Sequence, residues 1–158
     1  LDYAEANASN ASSFVIACFG DPGLHLLRER FGRRVYGIAE CGVLAALMAG
    51  ERFGVVSILE AAVRRHYRYF AGMGVLDRLV ADRAIGIGVA GLKDHKVTLA
   101  RMLETGERLK QGGADVILMG GAAMSPLRKP LEAGLGIPVI DPNEAAIAMA
   151  TGFTPLQE

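Results

Sequence analysis

The fold is decided by the stretch Val15-Ile16-Ala17-Cys18-Phe19-Gly20-Asp21-Pro22-Gly23, whose pattern returns in Val116-Ile117-Leu118-Met119-Gly120-Gly121-Ala122-Ala123-Met124. In each stretch a short apolar run passes into a loop of small residues, and an amphipathic run and a second strand-like run follow. Alignment of the two loops places Cys18 opposite Gly121. Two related halves can direct two strand-end loops at one cleft, so that groups on the loops face a ligand from opposite sides. Here only one of the two loops carries a thiol.

The composition is that of a globular protein, with 51% hydrophobic and 22% charged residues in a chain of 158, enough for one compact domain or two small lobes. The formal net charge is zero, so no overall charge favours nucleic acid or an anionic membrane as a partner. The longest apolar stretch, residues 35–50, contains Glu40 and is too short to span a bilayer. Two cysteines without a framework spacing, and no visible secretory signal, predict a cytoplasmic location.

Apolar runs alternate with amphipathic runs over the whole chain, which predicts an α/β fold with parallel sheets flanked by helices. Strands are predicted at residues 14–17, 35–38, 53–57, 84–87, 115–119 and 138–140. Helices are predicted from Asp21-Pro22 onward and at residues 42–49, 58–70, 92–111, 127–133 and 144–150. The first strand is expected to be buried on both faces. Ligands of such sheets bind beyond the carboxyl ends of the strands, so the strand-end loops are the candidate sites.

Cys18 follows the first strand and precedes a glycine-rich turn that can open a helix. The positive end of a helix dipole favours the thiolate form of a nearby cysteine, and N–H groups at such a turn bind anions. We therefore interpret Cys18 as a candidate reactive thiol, and Phe19, Gly20 and Asp21 as candidate donors to a carboxylate or an oxyanion. The alternative is a buried structural cysteine, which is common in sheets.

The loop Gly120-Gly121-Ala122-Ala123 is the second candidate anion site, because small residues let backbone N–H groups approach a ligand closely. The alternative is a tight turn between strand and helix. Ser57 ends a strand and is suited either to donate to a substrate carboxylate or to cap the next helix. Neither loop has the spacing of a nucleotide-binding motif, and residues 86–91 fit a dinucleotide motif only loosely.

The other candidate groups are assigned structural roles. Cys41 lies at the start of an apolar helix and is expected in the core, and a reducing compartment disfavours its pairing with Cys18. The arginines from Arg64 to Arg68 are expected on a solvated helix face. The three histidines lie in or beside predicted helices, and no spacing of His, Cys and carboxylates indicates a metal.

The Cys18 stretch resembles a known family. Cys-Phe-Gly-Asp-Pro-Gly-Leu at 18–24, followed by Gly-Ile-Ala-Glu at 37–40, is similar to the first half-motif of the aspartate/glutamate/hydantoin racemases, above all of their hydantoin and allantoin branch. Gly-Ala-Asp-Val-Ile at 113–117, the small-residue loop that follows, and Gly-Ile-Pro-Val-Ile-Asp-Pro at 136–142 resemble the second half-motif. The resemblance covers residues 14–150.

The resemblance implies an isomerase of two pseudo-symmetric lobes, here residues 1–52 with 141–158 and residues 53–140, which needs no cofactor or metal. In this family one cysteine thiolate removes the proton on the α-carbon, a second thiol returns one to the opposite face, and backbone N–H groups hold the enolate. Cys18 matches the first cysteine, and Gly121 stands at the position of the second. The resemblance also implies a small-molecule substrate with a carboxylate or cyclic ureide, and a homo-oligomer. An opening βα unit with an Asn-rich loop is expected upstream of Leu1.

The missing second thiol leaves three hypotheses open. A water or another side chain replaces the thiol in a racemase, which is the interpretation that we favour. Alternatively, the chain is a single-thiol decarboxylase or lyase, similar to arylmalonate decarboxylase, whose one cysteine lies on the second loop. The third hypothesis is a small-molecule binder without turnover.

Overall fold

The computed structural model describes residues 2–153 and has the predicted alternation of strands and helices. The strands are β1 (Phe14–Ile16), β2 (Val35–Gly37), β3 (Phe53–Ser57), β4 (Leu79–Ala84), β5 (Val116–Gly120) and β6 (Val139–Ile140). The α-helices are α1 (Asp2–Ala6), α2 (Leu24–Phe31), α3 (Ile38–Ala49), α4 (Glu60–Met73), α5 (His95–Gln111), α6 (Arg128–Leu135) and α7 (Pro142–Phe153). Short 3-10 turns occupy residues 32–34, 76–78, 89–93 and 122–127.

All strand pairs are parallel, in two sheets. Strands β1 and β2 pair with each other, and the larger sheet has the order β4-β3-β5-β6. Strands β3 and β5 run in register from the pair Phe53–Val116 to the pair Ser57–Gly120. The predicted α/β class with parallel sheets and flanking helices is therefore confirmed, and the carboxyl ends of β3 and β5 lie side by side.

The larger sheet is covered on both faces, as a parallel sheet requires. Val55 of β3 and Leu118 of β5 pack with α3, α4 and α7 in one apolar cluster. The neighbouring residues Val56 and Ile117 point to the other face, where they pack with α5 and α6. Since side chains alternate along a strand, the continuous apolar runs of β3 and β5 supply both clusters.

Two strands differ from the prediction. Strand β1 is only partly buried, with Val15 38% exposed, instead of buried on both faces. Within the described residues it pairs with β2 alone, so its other edge is not covered by a strand. Strand β4 covers residues 79–84 instead of the predicted 84–87, and it contains the charged residues Asp82 and Arg83. These two residues interrupt the apolar pattern that predicts a strand, whereas residues 84–87 are apolar apart from one glycine.

Helix α2 begins at Leu24, not at Asp21-Pro22. Asp21 has a positive φ of 49° and Gly23 a φ of 79°, both outside the helical region. Residues 18–23 therefore form a separate turn ahead of the helix. The division into lobes at residues 52/53 and 140/141 places β1 and β2 in one lobe and β3 to β6 in the other. It stays a prediction, as do the homo-oligomer and the cytoplasmic location.

Asp21 connects this turn to two helices. Its carboxylate accepts the backbone N–H groups of Ala39 at 2.9 Å and Glu40 at 2.8 Å, in the first turn of α3, and the hydroxyl of Tyr69 on α4 at 2.6 Å. Gly37 makes this approach possible, because a Cβ atom there would lie 2.2 Å from the Asp21 carboxyl carbon. Three hydrogen bonds hold the carboxylate in place, so it cannot move away from an added Cβ without breaking them.

We predict that Gly37→Ala destabilises the protein by about 1–3 kcal/mol, the usual cost of overpacking a close-packed site. Gly72→Ala is the matched control, since an added Cβ at this exposed site in α4 meets nothing within 4 Å. The control should leave stability unchanged or raise it by up to about 1 kcal/mol, because Ala is the better helix former. Urea unfolding measures both, and equal midpoints for the two variants would contradict the account of Gly37.

Candidate functional site

The strand-end loops meet at a cleft of about 320 Å³, which we call the Cys18 cleft. Its lining consists of Ala17, Cys18, Phe19, Ile58, Leu59, Ala62, Arg65, His66, Val89, Gly120, Gly121, Ala122 and Ala123. The volume is within the range of small-molecule sites, and the lining is mainly apolar with a few polar groups. The structure therefore places Cys18 and Gly121 in one cleft, as the alignment of the two loops suggested.

Cys18 lies in the turn between β1 and α2, where it is exposed to solvent. The turn is closed by a hydrogen bond of 3.0 Å from the Asp21 N–H to the Cys18 carbonyl oxygen. Phe19 is buried beside the thiol, and its ring packs edge-on against the imidazole of His66, with centroids 4.9 Å apart. The turn thus fixes the thiol at the mouth of the cleft, several residues before the first turn of α2.

Asp21, a candidate substrate-binding residue, instead has a structural position. It is buried, its N–H donates to Cys18, and its carboxylate accepts from α3 and α4. Burial raises the pKa of Asp21 above its usual value, although the hydrogen bonds from Tyr69, Ala39 and Glu40 oppose this shift. Neither polar group of Asp21 is free for a ligand, so the donors on this loop reduce to the N–H groups of Phe19 and Gly20.

The opposite wall is built on close backbone approach. A Cβ atom at Gly120 would lie 2.7 Å from the Ser57 hydroxyl, and one at Gly121 would lie 2.6 Å from Cδ1 of Ile58. Gly121 has an extended backbone, with φ of −179°, that any residue adopts. A larger side chain at position 121 therefore requires only that the end of the Ile58 side chain moves.

Ser57, which was predicted to bind substrate, is fully buried and is not among the residues that line the cleft. Its hydroxyl lies 3.2 Å from Nδ1 of His66, and the same nitrogen lies 2.7 Å from Oδ2 of Asp82. His66 is 2% exposed, and Asp82 is buried within β4. The Ser57 hydroxyl on β3 and the Asp82 carboxylate on β4 thus both contact the imidazole of His66, which lies in the wall of the cleft.

Arg65 and His66 line the cleft, and neither was among the predicted site residues. Arg64, Arg65 and Arg68 are exposed, as expected for a solvated helix face, and Arg65 in addition lines the cleft, with its Nε 3.6 Å from where a Cβ of Gly20 would be. The signal for His66 was present: it lies three residues after Val63 and four before Phe70, on the buried stripe of α4. A histidine on a buried stripe needs a polar partner, and Asp82 is that partner.

Cys41 is structural, as predicted. It is 2% exposed, both cysteines are free thiols, and burial raises the pKa of Cys41 to about 12, with the nearby carboxylates of Glu40 and Asp21 adding to the rise. The described residues contain no group of three or more potential metal ligands from His, Cys, Asp and Glu. None of the described helices is both long and apolar enough to cross a membrane.

Comparison with known proteins agrees with this geometry. Residues 1–150 match the sequence family described as Asp/Glu/Hydantoin racemase. The chain belongs to this family. It is 33% identical over 146 residues to the hydantoin racemase of Paenarthrobacter aurescens, a match that covers 91% of this chain and 62% of the relative.

The structure of allantoin racemase from Klebsiella pneumoniae superposes with a TM-score of 0.85 at 29% identity, over 99% of this chain and 64% of that one. Arylmalonate decarboxylase shares the fold alone, with a TM-score of 0.66 at 17% identity, over 95% of this chain and 70% of that one. The chain thus spans about three fifths of the length of the racemases that it matches.

We predict that iodoacetamide at pH 8 labels one thiol per chain. Cys18 is exposed, whereas Cys41 is buried and, with a pKa of about 12, is thiolate in only about one molecule in ten thousand at this pH. Mass spectrometry of the intact protein should show a single adduct, which Cys18→Ser abolishes and Cys41→Ala leaves in place. Labelling of Cys41 in the folded protein would contradict the assignment.

Proposed function

We propose that this chain carries the active site of a cofactor-independent racemase for an amino-acid derivative of hydantoin or allantoin type. The observation that supports it is the shared cleft, in which the exposed thiol of Cys18 and the loop at Gly120-Gly121 face the same volume of about 320 Å³. Family membership supports the reaction class, and the hydantoin and allantoin racemases among the relatives support a cyclic ureide as substrate. In such a ring the stereocentre lies next to a carbonyl group.

In this proposal Cys18 is the proton carrier on one face of the stereocentre. Its thiolate removes the proton, and the electrons of the carbon–hydrogen bond move into the adjacent carbonyl to give an enolate. The N–H groups of Phe19 and Gly20 on one loop, and of Gly121 and Ala122 on the other, then stabilise the enolate oxygen. Preorganised donors of this kind usually make the largest single contribution to catalysis.

Arg65 adds a positive charge to the cleft. Its Nε lies 3.6 Å from where a Cβ of Gly20 would be, and the residue lines the cleft. A cation at this place attracts a substrate carboxylate or the developing enolate. We therefore include Arg65 among the substrate-binding residues, with Phe19, Gly20, Gly120, Gly121 and Ala122.

A second candidate function follows from Gly121. With no side chain at this position, a proton removed by Cys18 has no thiol on the opposite face from which to be replaced. A one-sided reaction suits a single thiol: loss of carbon dioxide from a malonate gives the same kind of enolate, and Cys18 then protonates it. Release of carbon dioxide from an arylmalonate, without racemisation of any hydantoin, would favour this decarboxylase.

We predict that the protein incubated with one enantiomer of a 5-substituted hydantoin or of allantoin in heavy water loses optical rotation and gains deuterium at the stereocentre. The rate must exceed that of the spontaneous reaction, which a sample without protein measures. Cys18→Ser should lower the rate of racemisation by about 10²- to 10⁴-fold, because positioned proton transfer contributes that much.

Cys41→Ala is the matched control, since it removes the other thiol from a buried site outside the cleft. It should retain racemisation within a few-fold of the unsubstituted protein. Racemisation that survives Cys18→Ser would remove the thiol from the mechanism. A ligand that raises the melting temperature without exchange or turnover would favour a binding protein.

A further inference from the structure

The wall of the Cys18 cleft contains a second titratable group, the imidazole of His66. It lines the cleft with Cys18 and Gly121, although only 2% of its side chain is exposed. The rings of Phe19 and Phe70 pack against it, with centroids 4.9 and 6.2 Å away. These ring contacts restrict the plane of the imidazole, and its hydrogen bonds decide which nitrogen is available to the cleft.

The hydrogen bonds of His66 determine which nitrogen that is. Nδ1 lies 2.7 Å from Oδ2 of Asp82, so we place the proton of the neutral ring on Nδ1, donated to this carboxylate. The Ser57 hydroxyl is 3.2 Å from the same Nδ1. None of the described residues forms a hydrogen bond with Nε2, so Nε2 is the nitrogen available to exchange a proton with a ligand in the cleft that His66 lines.

This arrangement differs from the triad of a serine hydrolase. In a triad the serine hydroxyl and the carboxylate bind opposite nitrogens of the imidazole, and the hydroxyl is open to substrate. Here Ser57 and Asp82 share Nδ1, and Ser57 is fully buried. The nitrogen free to exchange a proton with a ligand is therefore Nε2 of His66.

The carboxylate behind His66 is costly for the fold. Asp82 is buried in β4, and its second oxygen, Oδ1, has no hydrogen-bond partner among the described residues. A small polar cavity of about 180 Å³ adjoins Asp82, with Arg83, Arg108 and Glu60 in its lining. Stability alone does not require such a buried pair, because apolar residues of similar volume often make a protein equally or more stable.

We propose that His66 is the second proton carrier of the racemase, on the face that Gly121 leaves without a thiol, and that Asp82 is its positioning residue. The inference rests on the proposed function. When the Cys18 thiolate takes the proton from one enantiomer, the imidazolium of His66 gives its Nε2 proton to the opposite face of the enolate. Cys18 ends as a thiol and His66 as a neutral imidazole, the pair of states that the other enantiomer needs for the reverse reaction.

The test separates the two faces by isotope exchange. Each enantiomer of the hydantoin is incubated in heavy water with His66→Asn, which keeps a side-chain donor near Asp82. Racemisation should fall at least 100-fold. The enantiomer whose proton Cys18 removes should still exchange that proton for deuterium, with retention of configuration. The other enantiomer should not exchange, and Cys18→Ser should show the opposite preference.

Rescue by a second thiol is the sharpest control. Gly121→Cys combined with Ile58→Val, which removes the methyl group 2.6 Å from the new Cβ, rebuilds a thiol on the second loop. Added to His66→Asn, this pair should restore racemisation at least ten-fold. A merely structural role of His66 does not predict that restoration.

Three outcomes overturn the inference. Racemisation by His66→Asn at the wild-type rate would assign the second proton to another group while the proposed function stands. Equal exchange of both enantiomers by His66→Asn would do the same. Absence of exchange and racemisation in the unsubstituted protein would overturn the proposed function itself. If His66→Asn does not fold, the pair His66→Leu with Asp82→Val removes the buried carboxylate as well, and the same exchange pattern is expected.

Discussion

The carboxylate of Asp21 is the constraint on which the arrangement of the cleft depends. It accepts two N–H groups in the first turn of α3 and the hydroxyl of Tyr69 on α4. An anion at a helix N-terminus satisfies N–H groups that have no partner inside the helix and interacts favourably with the helix dipole. Because Asp21 is only three residues from Cys18, these bonds fix the thiol relative to both helices. Burial raises the pKa of the Tyr69 hydroxyl, and the hydrogen bond to Asp21 raises it further, which keeps that hydroxyl a donor.

Missing Cβ atoms make the close approaches in this region possible. At Gly37 a side chain would occupy the space of the Asp21 carboxylate, and at Gly120 it would occupy that of the Ser57 hydroxyl. These two glycines lie at the ends of β2 and β5, where the chain passes into the loops and helices around the cleft. At these two strand ends, the absence of a side chain therefore lets a polar side chain approach the backbone closely.

The sequence was sufficient to predict the elements with regular apolar patterns and the meeting of the two loops. Strand β3 has the predicted ends, and Cys18 and Gly121 line one cleft. Three of the failures share one cause, a polar side chain whose partner is distant in sequence. Asp82 made β4 resemble a loop, and His66 seemed unpaired, because the bond between them joins a helix to a strand 16 residues away. Asp21 was assigned to the ligand for the same reason, since its partners on α3 and α4 are visible only in the folded chain.

A thiol and an imidazole on opposite faces make a racemase chemically asymmetric. The two enantiomers of a substrate have equal free energies, so their values of kcat/KM must be equal whichever groups the enzyme uses. The individual constants are under no such restriction, because one enantiomer requires a thiolate with an imidazolium and the other a thiol with a neutral imidazole. In the proposed mechanism each enantiomer therefore binds productively to a different protonation state of the Cys18 cleft. In the proposed mechanism the contact between His66 and Asp82 matters in both directions, since it places the proton of the neutral ring on Nδ1 and leaves Nε2 to exchange a proton with the substrate.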